Sequence, residues 1–156
     1  MSDQEIKQRV QEQFGATAQS YVTSPGHAHG DDLARMLELA SPRGPEHMLD
    51  IATGGGHTAL AFAPHVQSVV ASDLTPAMLA AAEAFIRGRG AANVRFERAD
   101  AEALPFADAS FDLVTTRIAP HHFPNPARYV AEVARVLRPG GRFVLNDNMA
   151  PEDDEL

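Results

Sequence analysis

The chain has 156 residues, which is enough for one domain with a hydrophobic core and too few for two. Its 44% hydrophobic and 22% charged residues are ordinary for a soluble globular protein, and a net charge of −8 argues against a nucleic-acid partner or an anionic membrane surface. The absence of cysteine excludes disulfide and thiolate chemistry, no apolar run approaches the ~20 residues of a membrane span, and we expect a cytoplasmic protein.

The first 44 residues are predicted to form a helical segment that precedes the core at 45–156. One helix is expected over residues 4–22 and a second over 31–40, because apolar residues recur there at helical spacing. On the first helix the apolar face carries Ile6, Val10 and Phe14. Proline and glycine then interrupt the chain between residues 41 and 45, which is typical of a linker.

Strands and helices alternate through the rest of the chain. Strands are predicted at about 47–53, 67–72, 94–100, 111–115 and 142–146. Helices are predicted at about 57–64 and 76–88, and a third begins after Asn125, turns Tyr129, Val130, Val133 and Leu137 inward, and stops at Pro139-Gly140-Gly141. Thr75 is expected to cap the second of these helices. This alternation predicts an α/β fold with a doubly wound, mainly parallel sheet.

Polar residues cluster where the predicted strands end. Gly54 to Gly56 follow the first strand, Asp73 the second, Asp100 the third, and His121-His122 the fourth. Ligands of open α/β sheets bind beyond the carboxyl ends of the strands. This convergence therefore predicts a ligand site at that edge of the sheet.

The glycine-rich loop is compatible with two nucleoside cofactors. Gly54 to Ala59 formally match the dinucleotide fingerprint G-x-G-x-x-G/A, and Asp73 lies about 20 residues farther on, where a carboxylate can bind ribose hydroxyls. That pattern alone is a weak signal, and it leaves open whether the loop binds a nicotinamide dinucleotide or another nucleoside.

Four ordered motifs resemble those of class I S-adenosylmethionine-dependent methyltransferases, in particular the ubiquinone/menaquinone-biosynthesis-type branch. They are Asp50 to Gly56, Ala71 to Leu79, Asp100 to Phe106 with Ser110 to Val114, and Val136 to Gly141. The resemblance covers about residues 10 to 150. It implies a Rossmann-like sheet of order 3-2-1-4-5, S-adenosylmethionine as cofactor, S-adenosylhomocysteine as product and a small-molecule methyl acceptor.

The resemblance also implies roles for individual residues. Asp50 would lie near the methionine end of the cofactor, Asp73 would accept hydrogen bonds from the ribose, and Leu74 would pack on the adenine. Asp100 would accept a hydrogen bond from the adenine amino group, and Ala101 would offer its backbone N–H to the adenine. Backbone contacts are implied for the loop at Ala52, Thr53, Gly54 and Gly56. Ala52 stands where the family has its first glycine, and we expect so small a residue to preserve the loop.

Other implied site residues lie outside the loop. Tyr21, His27 and Gly30 would belong to an N-terminal lid over the cofactor. Arg117 follows the fourth strand, and it either lines the methionine moiety or forms a surface ion pair. No metal is expected, because the His27-x-His29 pair has no third ligand at suitable spacing.

His121 and His122 are the candidate catalytic residues. The resemblance places their segment beside the acceptor pocket, where they could line the site, act as a general base, or only position the loop. A base is needed only if the acceptor must lose a proton before it attacks the methyl group.

The chain stops soon after its fifth strand, whereas members of the family continue with further strands and helices. We expect a C-terminal truncation that leaves the fifth strand as an open edge, or an edge paired with a second copy as a homodimer. Two alternatives to a methyltransferase remain. An NAD-dependent oxidoreductase would lack an evident Tyr-x-x-x-Lys pair, and a non-catalytic cofactor-binding module would fit the short C-terminus.

Overall fold

The computed structural model describes residues 1–26 and 30–149. The helices are α1 (Asp3–Thr23), α2 (Asp31–Ala40), α3 (His57–Phe62), α4 (Pro76–Gly88) and α5 (Pro126–Val136), and short 3₁₀ turns cover Ala63–His65 and Pro120–His122. The strands are β1 (His47–Ile51), β2 (Ser68–Asp73), β3 (Val94–Arg98), β4 (Phe111–Arg117) and β5 (Leu137–Asn146). No helix of the described ranges is long and apolar enough to cross a bilayer.

The five strands form one parallel sheet of order β3-β2-β1-β4-β5, which confirms the predicted α/β fold and strand order. Successive side chains of β1 enter opposite cores, as expected for a strand buried on both faces. Met48 packs on the face that α2, α3 and α4 cover, and Leu49 on the face covered by α5. All five carboxyl ends therefore point to one edge of the sheet. β5 is an outer strand, and the predicted homodimer through it stays a prediction.

The two N-terminal helices begin as their sequences indicate. Ser2 caps α1 through a capping box with Glu5, which satisfies amide groups that the first helical turn leaves unpaired. Asp31 and Asp32 lie in the first turn of α2, where carboxylates complement the helix dipole. α1 packs along α4, so the N-terminal segment lies across the carboxyl edge of the sheet rather than apart from it.

The boundary between α5 and β5 differs from the prediction. The helix ends at Val136, and Leu137 already pairs with Phe111 of β4 instead of lying on the helix. Residues 138–141 form an irregularity inside β5 before pairing resumes between Arg142 and Leu113. Proline disfavours a helical residue before it, and the sheet accepts Leu137 in register, so the helix stops earlier than Pro139-Gly140-Gly141.

Two smaller predictions were also wrong. Val130 is 53% exposed, because α5 turns Tyr129, Val133 and Val136 toward the sheet and leaves Val130 on the opposite side. Thr75 does precede α4, but its side chain makes no capping hydrogen bond. Asp73 instead accepts the Thr75 N–H at 2.9 Å, so the carboxylate organises the start of the helix.

Candidate functional site

A cleft lies at the carboxyl ends of β1, β2 and β4, and α1 forms one of its walls. It encloses about 1030 Å³, part of it open to solvent. The loop after β1, the turn after β2 and the segment after β4 supply most of the opposite wall. From α1, the cleft is lined by Lys7, Val10, Phe14 and Tyr21.

The glycines after β1 allow the loop to pack closely against side chains of α4 and the backbone of α1. Gly56 has φ +88°, and a Cβ there would lie 2.8 Å from Ile86 Cδ1 of α4. At Gly55 a Cβ would lie 3.0 Å from the carbonyl of Tyr21. Side chains at either position would separate the loop from α4 or from α1. The glycines are thus needed for packing as well as for ligand approach.

Two residues without glycine's freedom adopt the left-handed conformation at the cleft. Ala52 follows β1 with φ +55° and Ile118 follows β4 with φ +52°, and both line the cleft. Such backbone is costly for a β-branched residue and tends to be retained at functional sites. Glycine adopts the conformation of Ala52 without steric cost. Alanine keeps the turn, with some strain.

Asp50 lies under the loop as a buried carboxylate. It is 1% exposed, and its two oxygens accept hydrogen bonds from Thr53 Oγ1 at 2.7 Å and Thr115 Oγ1 at 2.6 Å. Burial, helped by the Asp73 carboxylate, raises its pKa to about 6 against the effect of both hydroxyls. Asp50 therefore faces the cleft as a fixed charge whose oxygens are already held by the protein.

Asp73 ends β2 with its carboxylate fixed in orientation. Oδ2 accepts the Gly54 N–H at 3.0 Å and Oδ1 accepts the Thr75 N–H at 2.9 Å. Burial raises the pKa of Asp73, and the hydrogen bonds from backbone amides oppose that shift. An ionised carboxylate oxygen accepts more than one hydrogen bond, so both oxygens can still receive hydroxyl groups from a ligand.

The turn after β3 carries a second pair of carboxylates. Asp100 Oδ1 accepts the Glu102 N–H at 2.9 Å, and Asp100 Oδ2 accepts Lys7 Nζ at 2.7 Å. Lys7 Nζ also lies 3.3 Å from Glu102 Oε2. Ala101 lies between the two carboxylates and lines the cleft with them. Lys7 and Glu102 are absent from the sequence-based site.

Arg117 joins the end of β4 to the N-terminal segment. Its Nε lies 2.6 Å from Asp32 Oδ2 and its Nη2 3.0 Å from Asp32 Oδ1, and Nη2 also donates to the Gly26 carbonyl. The Arg117 side chain is only 6% exposed, so this is an ion pair within the structure rather than on its surface. Arg117 lines the cleft. Gly30 does not line it, but a Cβ at Gly30 would collide with the Arg117–Asp32 pair.

The segment after β4 places its two histidines differently. His122 lines the cleft and packs edge-on against Phe14, with ring centroids 5.0 Å apart. His121 lies outside the lining, where Nδ1 donates to Asp147 Oδ1 at 2.7 Å and its backbone N–H donates to Asp147 Oδ2. Burial and the neighbouring His121 lower the pKa of His122, so its imidazole is neutral at pH 7.

The structure brings most of the expected site residues into this one cleft. Lining positions are held by Tyr21, Asp50, Ala52, Thr53, Gly54, Asp73, Leu74, Asp100, Ala101, Arg117 and His122. Gly30, Gly56 and His121 lie behind the lining, and His27 lies outside the described residues. Within the described part of the chain, no group of three or more His, Cys, Asp or Glu is arranged to hold a metal ion.

Several cleft residues were missed from the sequence, above all on α1. The sequence places Val10 and Phe14 on an apolar helix face without indicating what that face meets; in the structure it turns toward the cleft, and Lys7 shares it at helical spacing. Asp147 was missed because its link to His121 spans 26 residues. The single lysine of the chain, at a helix position adjacent to apolar residues, was the available signal for Lys7.

Residues 49–145 match the sequence profile of a family described as "Methyltransferase domain". The uncharacterized methyltransferase YcgJ of Bacillus subtilis is 46% identical over 143 residues, covering 92% of this chain and 56% of the relative. Demethylmenaquinone methyltransferase of Thermus thermophilus is 43% identical over 114 residues, covering 71% and 51%. The chain thus spans about half the length of the curated relatives it matches.

Solved structures agree with the sequence comparisons. The crystal structure of the YcgJ protein superimposes with a TM-score of 0.77 at 48% identity, covering 80% of this chain and 53% of that one. Phosphoethanolamine N-methyltransferase 2 of Haemonchus contortus, solved in complex with S-adenosyl-L-methionine, gives a TM-score of 0.75 at 26% identity, covering 93% and 35%.

Proposed function

This chain belongs to the methyltransferase-domain family, and we propose that it transfers a methyl group from S-adenosylmethionine to a small-molecule acceptor. One observation carries the proposal. Asp50, Asp73 and Asp100, each at or just beyond the end of a different strand, line a single cleft together with the glycine loop. Open α/β sheets bind ligands in the crevice outside the carboxyl ends of their strands, and this crevice offers several hydrogen-bond acceptors to a nucleoside with an attached amino acid.

The residues present suit the chemical groups of this cofactor. Asp73, oriented by two backbone amides, can accept both ribose hydroxyls, and Leu74 beside it offers an apolar surface to the base. Asp100 presents a carboxylate for the adenine amino group, with the Ala101 backbone next to it. Asp50 and Arg117 place opposite charges near the loop, where an amino-acid ammonium and carboxylate would be bound.

The protein's contribution to the reaction is then positioning and exclusion of water. When bound, the sulfonium cofactor supplies an electrophilic methyl group. The apolar rings of Phe14 and Phe123 line the remaining cleft and can hold an acceptor in line while limiting access of water. This proposed acceptor region is formed jointly by α1 and by the segment after β4.

His122 is the proposed base for acceptors that must lose a proton. Its neutral imidazole lines the cleft, whereas His121 is held by Asp147 and lies behind it. We assign Asp147 the role of positioning residue for this turn. An acceptor that is already nucleophilic needs neither histidine for proton transfer.

The methyl acceptor is to be identified by screening classes of small molecules. A quinone-like ring is the first class to test, because one curated relative is named demethylmenaquinone methyltransferase and the cleft wall is aromatic. Phenols, sterol-like lipids and small amines are the next classes.

Calorimetric titration with S-adenosylhomocysteine, with NADH in parallel, tests the cofactor. We expect saturable binding of S-adenosylhomocysteine and loss of at least about tenfold in affinity for Asp73→Ala, since a hydrogen bond to a charged group is removed. Asp31→Ala, at an exposed position on α2, is the matched control and should bind normally. Binding of NADH alone would favour an oxidoreductase. Binding of S-adenosylhomocysteine without turnover over a broad acceptor panel would favour a non-catalytic module.

A further inference from the structure

The single lysine of the chain lies in the wall of the proposed cofactor site. Of 13 basic residues only Lys7 is a lysine, and its ammonium lies between the carboxylates of Asp100 and Glu102, at 2.7 Å and 3.3 Å. Its side chain is 15% exposed. Burial opposes the charge of the ammonium, but Asp100 and Glu102 together raise the pKa of Lys7. Lys7 is therefore a cation held between two carboxylates in the wall of the cleft.

Glu102 is the less usual partner of Lys7. Its side chain is 2% exposed, it lines the cleft, and neither of its carboxylate oxygens accepts a hydrogen bond from another described residue. Lys7 is within ion-pair distance but not in hydrogen-bond geometry. A buried carboxylate with so little compensation is costly, and such groups tend to be kept where they serve a ligand.

Asp100, in contrast, has both oxygens occupied within the protein. Oδ1 accepts the Glu102 backbone N–H and Oδ2 accepts Lys7 Nζ. A second donor can reach a carboxylate oxygen, as at Asp73, but at Asp100 Oδ2 a nucleobase amino group meets the Lys7 ammonium instead of a backbone amide, so the two side-by-side donors compete for that oxygen. The Glu102 carboxylate, which accepts no hydrogen bond from the described residues, lies next to Lys7. It can receive the ammonium if the ammonium leaves Asp100.

We propose that Lys7 and Glu102 are positioning residues of the nucleobase site, in which Lys7 moves from Asp100 to Glu102 when an amino-bearing base binds. The transfer frees an Asp100 oxygen for the base and keeps α1 attached to the wall of the cleft. This inference rests on the proposed cofactor. It adds that the N-terminal helix stays closed over the nucleobase because a second carboxylate receives its lysine.

The affinity test uses Glu102→Gln, Lys7→Met/Glu102→Gln and the wild type, each titrated with S-adenosylhomocysteine. In Glu102→Gln the ligand must displace Lys7 from its last carboxylate, and we expect affinity to fall by about tenfold, the size of one charged hydrogen bond. The double variant has no lysine to compete for Asp100, so its affinity should return toward that of the wild type. Glu12→Gln, on the exposed side of α1, is the matched control.

The uniqueness of Lys7 permits a second, positional readout. With an amine-acylating reagent and mass spectrometry, the chain offers the Lys7 amine and the N-terminal amine, and the latter serves as internal reference. In the wild type, Lys7 should stay protected with and without S-adenosylhomocysteine. In Glu102→Gln it should be protected in the free protein and should become reactive when the ligand binds.

The outcomes separate this inference from the proposed function. If the wild type does not bind S-adenosylhomocysteine, the proposed function fails. If it binds, and Glu102→Gln binds equally well with Lys7 still protected, the transfer is overturned. Acylation of Lys7 in the ligand-bound wild type would also overturn the proposed transfer. This measurement uses only the wild type, so it does not depend on whether a variant folds. A merely structural Glu102 would weaken the double variant at least as much as the single one.

Discussion

Individual residues at the strand ends carry charge and strain that the surrounding structure maintains. Asp50 is buried with its charge held by two threonine hydroxyls, and Ala52, two residues later, has a left-handed backbone. Both conditions cost stability in a protein of this size, whose total stability is a small difference between large terms. They are understandable if the site, rather than the fold, requires them.

Replacing Asp50 with Asn should change how stability depends on pH. The folded-state pKa of about 6 lies above the ordinary value of 3.8, so the contribution of Asp50 to stability is present below pH 3.8 and is lost as pH rises through 6. By linkage this amounts to on the order of 3 kcal/mol. The free energy of unfolding of Asp50→Asn minus that of the wild type should therefore increase between pH 4 and pH 7.

Urea unfolding at a series of pH values measures this difference. Carboxylates with lowered pKa, such as Asp32 and Asp112, titrate in both proteins and cancel. A difference that does not vary with pH would show that Asp50 is not a buried charge.

Replacing Ala52 with Gly should stabilise the protein by up to about 1 kcal/mol, because glycine adopts the left-handed region without the Cβ penalty. Ala84→Gly is the control at an exposed position inside α4, where the same change should destabilise by about 1 kcal/mol. Thermal and urea unfolding report both. Equal destabilisation by the two changes would mean that Ala52 is not strained.

At the scale of elements, a few contacts at the sheet edge add to the apolar packing that holds the N-terminal helices. α1 is held through Lys7 near its start and through the aromatic contact of Phe14 with His122. α2 is held where Asp32 pairs with Arg117 at the end of β4. Contacts of this kind join the N-terminal segment to the same residues that form the cleft, so its docking and the geometry of the site depend on each other.

Asp32→Asn should loosen α2 and lower the free energy of unfolding by about 2 kcal/mol, since it leaves the nearly buried Arg117 without its carboxylate. The hydrogen bond from Arg117 lowers the pKa of Asp32, so this contribution is present above the unfolded-state pKa and is lost as pH falls through the folded one. The difference in free energy of unfolding between the wild type and Asp32→Asn should accordingly become smaller at acidic pH.

Asp31→Asn removes a neighbouring charge from the same helical turn and is the matched control. Hydrogen exchange over residues 31–40 reports the local effect. Similar exchange in both variants would assign the result to the helix dipole instead of to Arg117.

For the whole molecule, ligand binding and folding stability should be linked. S-adenosylhomocysteine at one hundred times its dissociation constant should add about 2.7 kcal/mol to the free energy of unfolding. For a chain of this length that corresponds to a rise in Tm of about 5–10 °C. Differential scanning calorimetry measures the shift. At the same ligand concentration a tenfold weaker Asp73→Ala should gain only about 1.4 kcal/mol, about half the wild-type shift, and an equal shift in that variant would place the ligand elsewhere.

Much of the fold and part of the site could be predicted because they depend on local pattern. Periodicity located the helices and strands, and the order of motifs placed Asp73 and Asp100 after consecutive strands. Parallel strands bring their carboxyl ends to one edge, so convergence of these residues follows from topology alone. The errors lay at a boundary and on a helix face, where Leu137 and Val130 respond to sheet pairing and to the angle at which α5 packs.

The sequence by itself determined the class of fold and the ligand-facing edge, because both follow from alternation of elements and right-handed connections, and the resemblance of its motifs implied the strand order. Only the tertiary structure decided which face of α1 meets the cleft, that Arg117 pairs with Asp32, and that Lys7 lies between Asp100 and Glu102. These contacts join residues more than 80 positions apart. Helical spacing shows which side chains share a face, but only the packing of that helix against the sheet decides what the face meets.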